Sequence, residues 1–223
     1  MKKLLSAALA AVLTLSLAAC SNAPETKEYS TEELSQILSS AISENSDDGM
    51  ADVITTDSLN AAIDWLTTNK GMSEDEAKAF MEEYNALPYE DIEATLTAKG
   101  FSAEDQEAFM IAENIALSSQ MIFDTLGLTA EDIEAGALSI SMINVHAYGM
   151  VLIKPAEGKE ETVLSACQNF VELQQKNFET YLQDQYAIAK NAKCETINGY
   201  VVMVMCENSD TVYQSISDTL NAK

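Results

Sequence analysis

The sequence predicts an α+β protein. N-terminal helical hairpins pack with a C-terminal β-α-β-β-α unit that holds a small, mainly antiparallel three-stranded sheet. Two observations support this class. Apolar residues recur at helical spacing through residues 30–137, whereas two apolar runs without alternation, MVLI and YVVMVM, lie within residues 138–223. Because such runs are typical of strands covered on both faces, we expect the two regions to form one compact body.

The first 19 residues have the pattern of a secretion signal. Lys2 and Lys3 form a basic start, and an uncharged apolar run follows from Leu4 to about Leu17. This run has the length of a signal-peptide core and is shorter than the ~20 residues of a membrane-spanning helix. We therefore expect residues 1–19 to be a signal peptide.

The tetrapeptide LAAC, which ends at Cys20, matches the bacterial lipoprotein box. At such a box the cysteine thiol receives a diacylglyceryl group, and acyl chains such as palmitate then hold the protein on the membrane. The alternative is an ordinary signal peptide that happens to contain a cysteine. We expect lipidation at Cys20, a polar tether over residues 20–29 and a location on the extracytoplasmic face of the cell membrane.

The chain is strongly acidic, with 12 Lys+Arg against 36 Asp+Glu and a formal charge of −24 over 223 residues. Loss of the leader, which holds two lysines and no acid, makes this charge more negative. Nucleic-acid binding requires basic surfaces, so we expect no nucleic-acid partner. Anionic lipid headgroups are repelled as well, which leaves the lipid on Cys20 as the membrane contact.

The helical region contains an internal repeat. Ser30 and Glu33 form a capping box at the start of a first amphipathic helix. The stretch KGMSEDEAKAFM, residues 70–81, then returns as KGFSAEDQEAFM, residues 99–110, and in shorter form as GLTAED, residues 127–132. In each copy a glycine ends one helix and Ser or Thr caps the next, so the repeat predicts successive helical hairpins.

The helix that begins at Ser102 and ends near Thr125 has apolar residues around most of its circumference. These residues are Phe109, Met110, Ile111, Ile115, Leu117, Met121 and Ile122. A helix that is apolar all round is typically buried, so we expect it at the centre of the helical region.

The C-terminal region alternates strands and helices. MINVHAYGMVLIKP predicts a strand, and KCETINGYVVMVMCE predicts a hairpin. The long helix between them turns Val163, Cys167, Phe170, Val171, Phe178 and Tyr181 inward, and the last helix does so with Val212, Ile216 and Leu220. We expect these two helices on one face of the sheet and the N-terminal helices on the other.

The hairpin register bears on the cysteines. A two-residue turn at Asn198-Gly199 places Cys194 opposite Met203 and Cys206 opposite Asn191. In this register the thiols of Cys194 and Cys206 are not opposite each other. We predict that Cys167, Cys194 and Cys206 form no disulfide.

Three stretches resemble the lipoprotein family built on the domain of unknown function 4358. They are LGLTAEDIE, SMINVHAYGMVLIKPAEGKEETV and NFETYLQDQYAIAKNAKCETINGYVVMVMCENSDTV, within roughly residues 125–220. Family members tend to have an acidic residue where this chain has Tyr148-Gly149, and the repeated helices at about residues 57–120 look like an addition to the family's core. The resemblance implies a lipid-anchored envelope protein and carries over no activity and no site.

Candidate chemistry is sparse. His146 is the single histidine, which excludes a multi-histidine metal site. On a strand, Asn144, His146 and Tyr148 share one face and form a candidate binding or proton-transfer patch; the alternative is a hydrogen-bonded histidine at a strand end. The acidic stretch ENSDDGMAD fails the EF-hand pattern. A calcium loop that starts at Glu44 would have Thr55 at its twelfth position, where the pattern requires a glutamate. We expect no cofactor and no metal.

Two functional hypotheses remain. The first is a non-catalytic envelope lipoprotein that binds a protein, peptide or glycan, and it predicts an exposed apolar or aromatic patch away from Cys20. The second is a carboxylate-dependent hydrolase acting on envelope or dietary polysaccharide. It predicts a groove with two acids ~5–10 Å apart, one of them with a raised pKa. The sequence contains no G-x-S-x-G and no C-x-x-C motif that would indicate a nucleophile.

Overall fold

The computed structural model describes residues 27–45, 52–143 and 145–222, and eight α-helices and five β-strands lie within them. The helices are α1 (Thr31–Asn45), α2 (Ala61–Lys70), α3 (Glu74–Asn85), α4 (Ile92–Ala98), α5 (Ala103–Leu126), α6 (Glu160–Phe178), α7 (Gln183–Lys190) and α8 (Ser209–Asn221). The strands are β1 (Ile54–Thr55), β2 (Ile133–Ile140), β3 (Gly149–Pro155), β4 (Lys193–Ile197) and β5 (Tyr200–Met205). The α+β class is confirmed.

The sheet is antiparallel throughout, with strand order β1-β2-β3-β5-β4. It is larger than the predicted three strands, because β1 and β2 also belong to it. β2 has the sequence IEAGALSI, whose alanines and glycine have little strand preference of their own, so its pairing with β3 determines its conformation. Gly136 is required by that pairing, since a Cβ there would lie 2.8 Å from Cγ1 of Ile153 and 3.2 Å from the Leu152 carbonyl oxygen. The predicted boundary between residues 137 and 138 falls inside β2.

Alternate side chains of β3 and β5 enter two different cores. Val151, Ile153 and Met203 face α6, α7 and the C-terminal end of α5. Leu152 and Val202 face α1 and α8. The two C-terminal helices α6 and α8 therefore lie on opposite faces of the sheet, contrary to the expectation that they share one face. α1 and α8 together form the apolar layer that the second face requires.

The first two copies of the repeat form the helical hairpins that the sequence predicts. Gly71 and Gly100 have positive φ angles of 67° and 82°, which suit glycine at a helix end. Ser73 and Ser102 then cap α3 and α5 in full capping boxes. The repeated sequence therefore encodes the same turn and helix start twice.

The two copies pack on each other through aromatic rings. Phe80 and Phe109, which hold equivalent positions, meet edge to face with centroids 5.8 Å apart. Lys70 lies 4.4 Å above the centre of the Phe101 ring, and its counterpart Lys99 lies 5.4 Å above that of Phe80. This aromatic cluster is a third core, separate from the two at the sheet.

The third copy does not form a hairpin, contrary to expectation. Gly127 again has a positive φ angle of 71°, and Thr129 and Asp132 again form a capping box. The turn that they cap is a single 3-10 turn, Ala130–Asp132, after which the chain enters β2. The capping signal is local, whereas the strand that follows is imposed by pairing with β3.

The described chain begins close to the sheet. The Tyr29 amide donates to the Tyr200 hydroxyl oxygen at 2.9 Å, and Tyr29 is buried although the sequence suggests that it belongs to a tether. The predicted signal peptide and Cys20 lie outside the described residues. Among residues 27–45, 52–143 and 145–222, no helix has both the length and the apolar character of a membrane span.

The predicted hairpin register is confirmed at Cys194, which pairs with Met203 across β4 and β5. Asn198 and Gly199, with φ angles of 50° and 83°, form the turn. The described ladder ends at Lys193, so the pairing predicted for Cys206 lies beyond it. No disulfide joins Cys167, Cys194 and Cys206, as predicted.

Asp132 provides a test of the third capping box. Its carboxylate accepts from Lys159 Nζ at 2.8 Å and from the Thr129 amide at 3.0 Å, and these contacts lower its pKa to about 2. We expect Asp132→Ala to lower the free energy of unfolding by about 1 to 2 kcal/mol at pH 7. Urea unfolding measures this loss, and Glu131→Ala, an exposed neighbour, is the control.

The pH dependence follows from the lowered pKa. An unfolded aspartate titrates near pH ~3.9, so the folded protein gains stability from ionised Asp132 above that pH and loses it as the pH falls towards about 2. The difference between wild type and Asp132→Ala should therefore shrink between about pH 4 and about pH 2. A difference that stays constant across this range would contradict the assignment.

Candidate functional site

Helix α5 exposes a row of large apolar side chains. Phe109 is buried as predicted, but five other residues that the sequence suggested to be core are between 41% and 61% exposed. They are Met110, Ile111, Ile115, Leu117 and Met121, and we call them the α5 face. The prediction of a helix buried all round is wrong, because α2, α3 and α4 cover only one side of α5.

The α5 face is continuous along the helix. Met110, Leu117 and Met121 are separated by seven and four residues, which places them in one line, and Ile111 and Ile115 form a second line beside it. The connection between β2 and β3 extends the apolar surface with Met142, Ile143 and Val145, each just over half exposed. Met142 joins the helix directly, since the Thr125 hydroxyl lies 3.6 Å from its sulfur.

A groove of about 800 Å³ runs between α4 and the N-terminal half of α5. We call it the α4–α5 groove. Its apolar lining consists of Tyr84, Tyr89, Ile92, Leu96, Met110, Ile111 and Leu117. A second recess of about 490 Å³ lies on the other side of Ile111 and Ile115, against Val53 and Ile54 of the β1 segment. The α5 face thus separates two depressions.

Four glutamates surround the apolar lining of the α4–α5 groove: Glu90, Glu93, Glu107 and Glu113. Glu113 is the most enclosed of them, and burial raises its pKa above the usual range for a glutamate. Burial also raises the pKa of Tyr84, and the negative charge of Glu113 adds to this effect. The groove is therefore both apolar and negative.

No lysine lines this groove, and none of its four glutamates takes part in an ion pair between described residues. The ion pairs of the described chain lie elsewhere; Lys70 pairs with Asp105 and Lys99 with Glu83. The negative charge of the groove is therefore not neutralised from within the described chain.

The candidate patch at residues 144–148 is divided by the structure. Asn144 lies outside the described residues. β3 begins at Gly149, so His146 is not on a strand; its amide donates to the Ile143 carbonyl at 3.2 Å in a surface turn. Tyr148 is buried, and its hydroxyl lies 3.2 Å from that of Ser139. His146 and Tyr148 therefore face different surroundings, and a binding role for the patch stays a prediction.

Two thiols that the sequence analysis did not pair lie together between α6 and β4. A hydrogen bond with Cys194 and burial both raise the pKa of the Cys167 thiol. The same hydrogen bond lowers the pKa of Cys194, which is only partly buried. Their separation of 27 residues on different elements gives no sequence signal for this contact. Within the described ranges, no group of three or more His, Cys, Asp or Glu side chains is placed to hold a metal ion.

The fold and the groove define the class: an α+β protein with an antiparallel sheet between helical layers and a surface groove beside it. Residues 107–206, just under half of the chain, match the model of the family described as domain of unknown function (DUF4358), as the resemblance in the sequence predicts. The match begins in α5 and ends just after β5, and it leaves out α1 to α4, β1 and α8. Comparison with curated proteins found no match, and neither did comparison with solved structures.

The thiol contact predicts selective reactivity. We expect Cys194 to react with iodoacetamide before the buried Cys167 and Cys206, with a rate that rises at a pH below that of an ordinary thiol. Cys167→Ala removes the hydrogen bond that lowers the pKa of Cys194, so it should move this rise in rate to higher pH. Mass spectrometry of peptides alkylated across a pH series measures both effects, and an unchanged profile in the variant would contradict them.

Proposed function

We propose that this protein is a lipid-anchored, extracytoplasmic binding protein of the cell envelope and that it is not catalytic. The observation that carries the binding role is the α5 face, which leaves five large apolar side chains in water. Because each of them is only about half exposed, covering one is worth about 1 kcal/mol, and a partner gains substantial binding energy by burying several. Exposed apolar surfaces of this kind are typical of interaction sites.

The anchor is supported by the leader pattern that ends at Cys20. Tyr29 packs in the core that α1 and α8 form on one face of the sheet. The C-terminal end of α5, with Phe123 and Leu126, packs on the opposite face. If the chain is held through Cys20, the first described residues pack on the face of the sheet opposite to the C-terminal end of α5.

The anchor has a direct test. We expect Cys20→Ala to abolish acylation and to release the protein from the membrane fraction of its host cell. Intact-mass measurement of the wild type should show the added lipid and the loss of residues 1–19. A wild-type chain with an unmodified Cys20 would contradict the proposed anchoring.

The binding role is tested by site-specific crosslinking in intact cells. A photo-crosslinking amino acid at Ile111 should give a defined adduct with an envelope component. The same amino acid at Gln214, which is exposed on α8 away from this face, should not. A second change, Met121→Ser, should reduce the adduct at Ile111 severalfold, because it removes part of the buried area. Equal labelling at both positions would contradict a binding role for the α5 face.

One observation favours the second candidate, a carboxylate-dependent hydrolase. Glu113 lies in a groove with three other glutamates and has a raised pKa, as expected of a general acid. The apolar lining between these glutamates suits a protein or peptide better than a sugar chain. Release of reducing sugar from a polysaccharide separates the two functions: a hydrolase releases it and loses this activity in Glu113→Gln, whereas a binding protein releases none.

A further inference from the structure

We propose that the α4–α5 groove binds an amphipathic helix with a cationic polar face, supplied by a partner peptide or protein. This inference rests on the proposed binding function and names the chemistry of the partner.

The groove has the shape of a helix-binding site. Its wall on α5 runs from Ala103 to Leu117, which is about 21 Å, or nearly four turns of a helix. Along this length Met110, Ile111 and Leu117 offer apolar contacts at the spacing that the anchor residues of an amphipathic helix require. Methionine adapts its shape readily, which helps such a surface to accept different apolar side chains.

The charge around the groove determines the polar face of the partner. Glu90 and Glu93 project from the α4 side, and Glu107 and Glu113 from α5, so acids flank the apolar lining on both sides. A helix with its apolar face in the groove places its flanking residues against these carboxylates. Lysine or arginine at those positions is favourable, whereas aspartate or glutamate is repelled.

Tyr89 adds a further contact for a cationic partner. It stands at the mouth of the groove and is 84% exposed, an unusual state for an aromatic side chain. Lysine or arginine side chains stack favourably on such a ring. The same type of contact already occurs within this chain, where Lys70 and Lys99 lie over phenylalanine rings.

The same charge argues against other occupants. A second copy of this chain, bound through the same groove, would bring another four glutamates to the interface. An anionic lipid surface or a nucleic acid would meet the same repulsion. A cationic helix is the occupant whose charge complements the groove.

The test uses three synthetic 14-residue peptides labelled with a fluorophore. The first has a leucine face and a lysine face at helical spacing, the second has glutamate in place of lysine, and the third has the composition of the first without its apolar face. The protein is the full chain as its host cell processes it, held in neutral phosphatidylcholine nanodiscs, and empty nanodiscs give the background. Fluorescence anisotropy measures binding.

We expect the first peptide to bind at least tenfold more tightly than the other two. The variant with Glu93→Gln, Glu107→Gln and Glu113→Gln should weaken its binding about tenfold, because three charge pairs are lost. The matched control carries Glu157→Gln, Glu172→Gln and Glu207→Gln, which remove the same charge from exposed positions outside the groove. This control should change binding less than threefold.

The inference is overturned if the glutamate peptide binds as well as the lysine peptide or if both triple variants weaken binding equally. It is also overturned if the chain forms dimers that Ile111→Asn dissociates, since the groove would then be a self-association surface. If the lysine peptide does not bind while the crosslink at Ile111 persists in cells, the inference is wrong but the proposed function is retained. If both fail, the proposed function falls with it.

Discussion

The structure depends on one helix that belongs to two cores. The N-terminal half of α5 contributes Phe109 to the aromatic cluster of the repeated hairpins, and its C-terminal half contributes Phe123 and Leu126 to the core on the sheet. Both ends are therefore fixed by burial, and the rigid helix holds the segment between them in place. That segment carries the α5 face and forms one wall of the α4–α5 groove. The position of the candidate site therefore depends on the packing of the two ends of α5.

Sequence reasoning succeeded where local chemistry decides the structure. The capping boxes at Ser73 and Ser102 and the turn at Asn198-Gly199 each depend on a few adjacent residues, and all three are confirmed. It failed where strand pairing decides the structure, as at β2. The alanines and Gly136 of β2 have no strand pattern of their own, and pairing with β3 gives them their extended conformation. In the third copy of the repeat, the same Gly-x-Ser/Thr capping signal is followed by a strand after Asp132. Pairing with β3 there outweighs the local preference for a helix.

The α5 face shows a different limit of prediction from sequence. Apolar residues around a helix predict burial, but the pattern is the same whether the covering layer is part of the chain or is a separate molecule. Met110 and Ile111 are exposed because the short helix α4 and its neighbours cover only one side of α5. Glu107 and Glu113, interspersed among these apolar residues, were the available signal that this side meets water. Their position around a groove could not be predicted, because it depends on where α4 lies.

The mutual packing of the two repeat copies makes the fold of each copy depend on the other. Each copy places its lysine over a ring of the other, and the rings of Phe80 and Phe109 complete a single cluster. One copy alone would leave half of that cluster in water. The family match starts at residue 107, so it takes in most of α5 but not the first copy of the repeat. The segment before residue 107 therefore packs on the part of α5 where the match begins, and the cluster joins rings from both sides of that boundary, Phe80 before it and Phe109 after it.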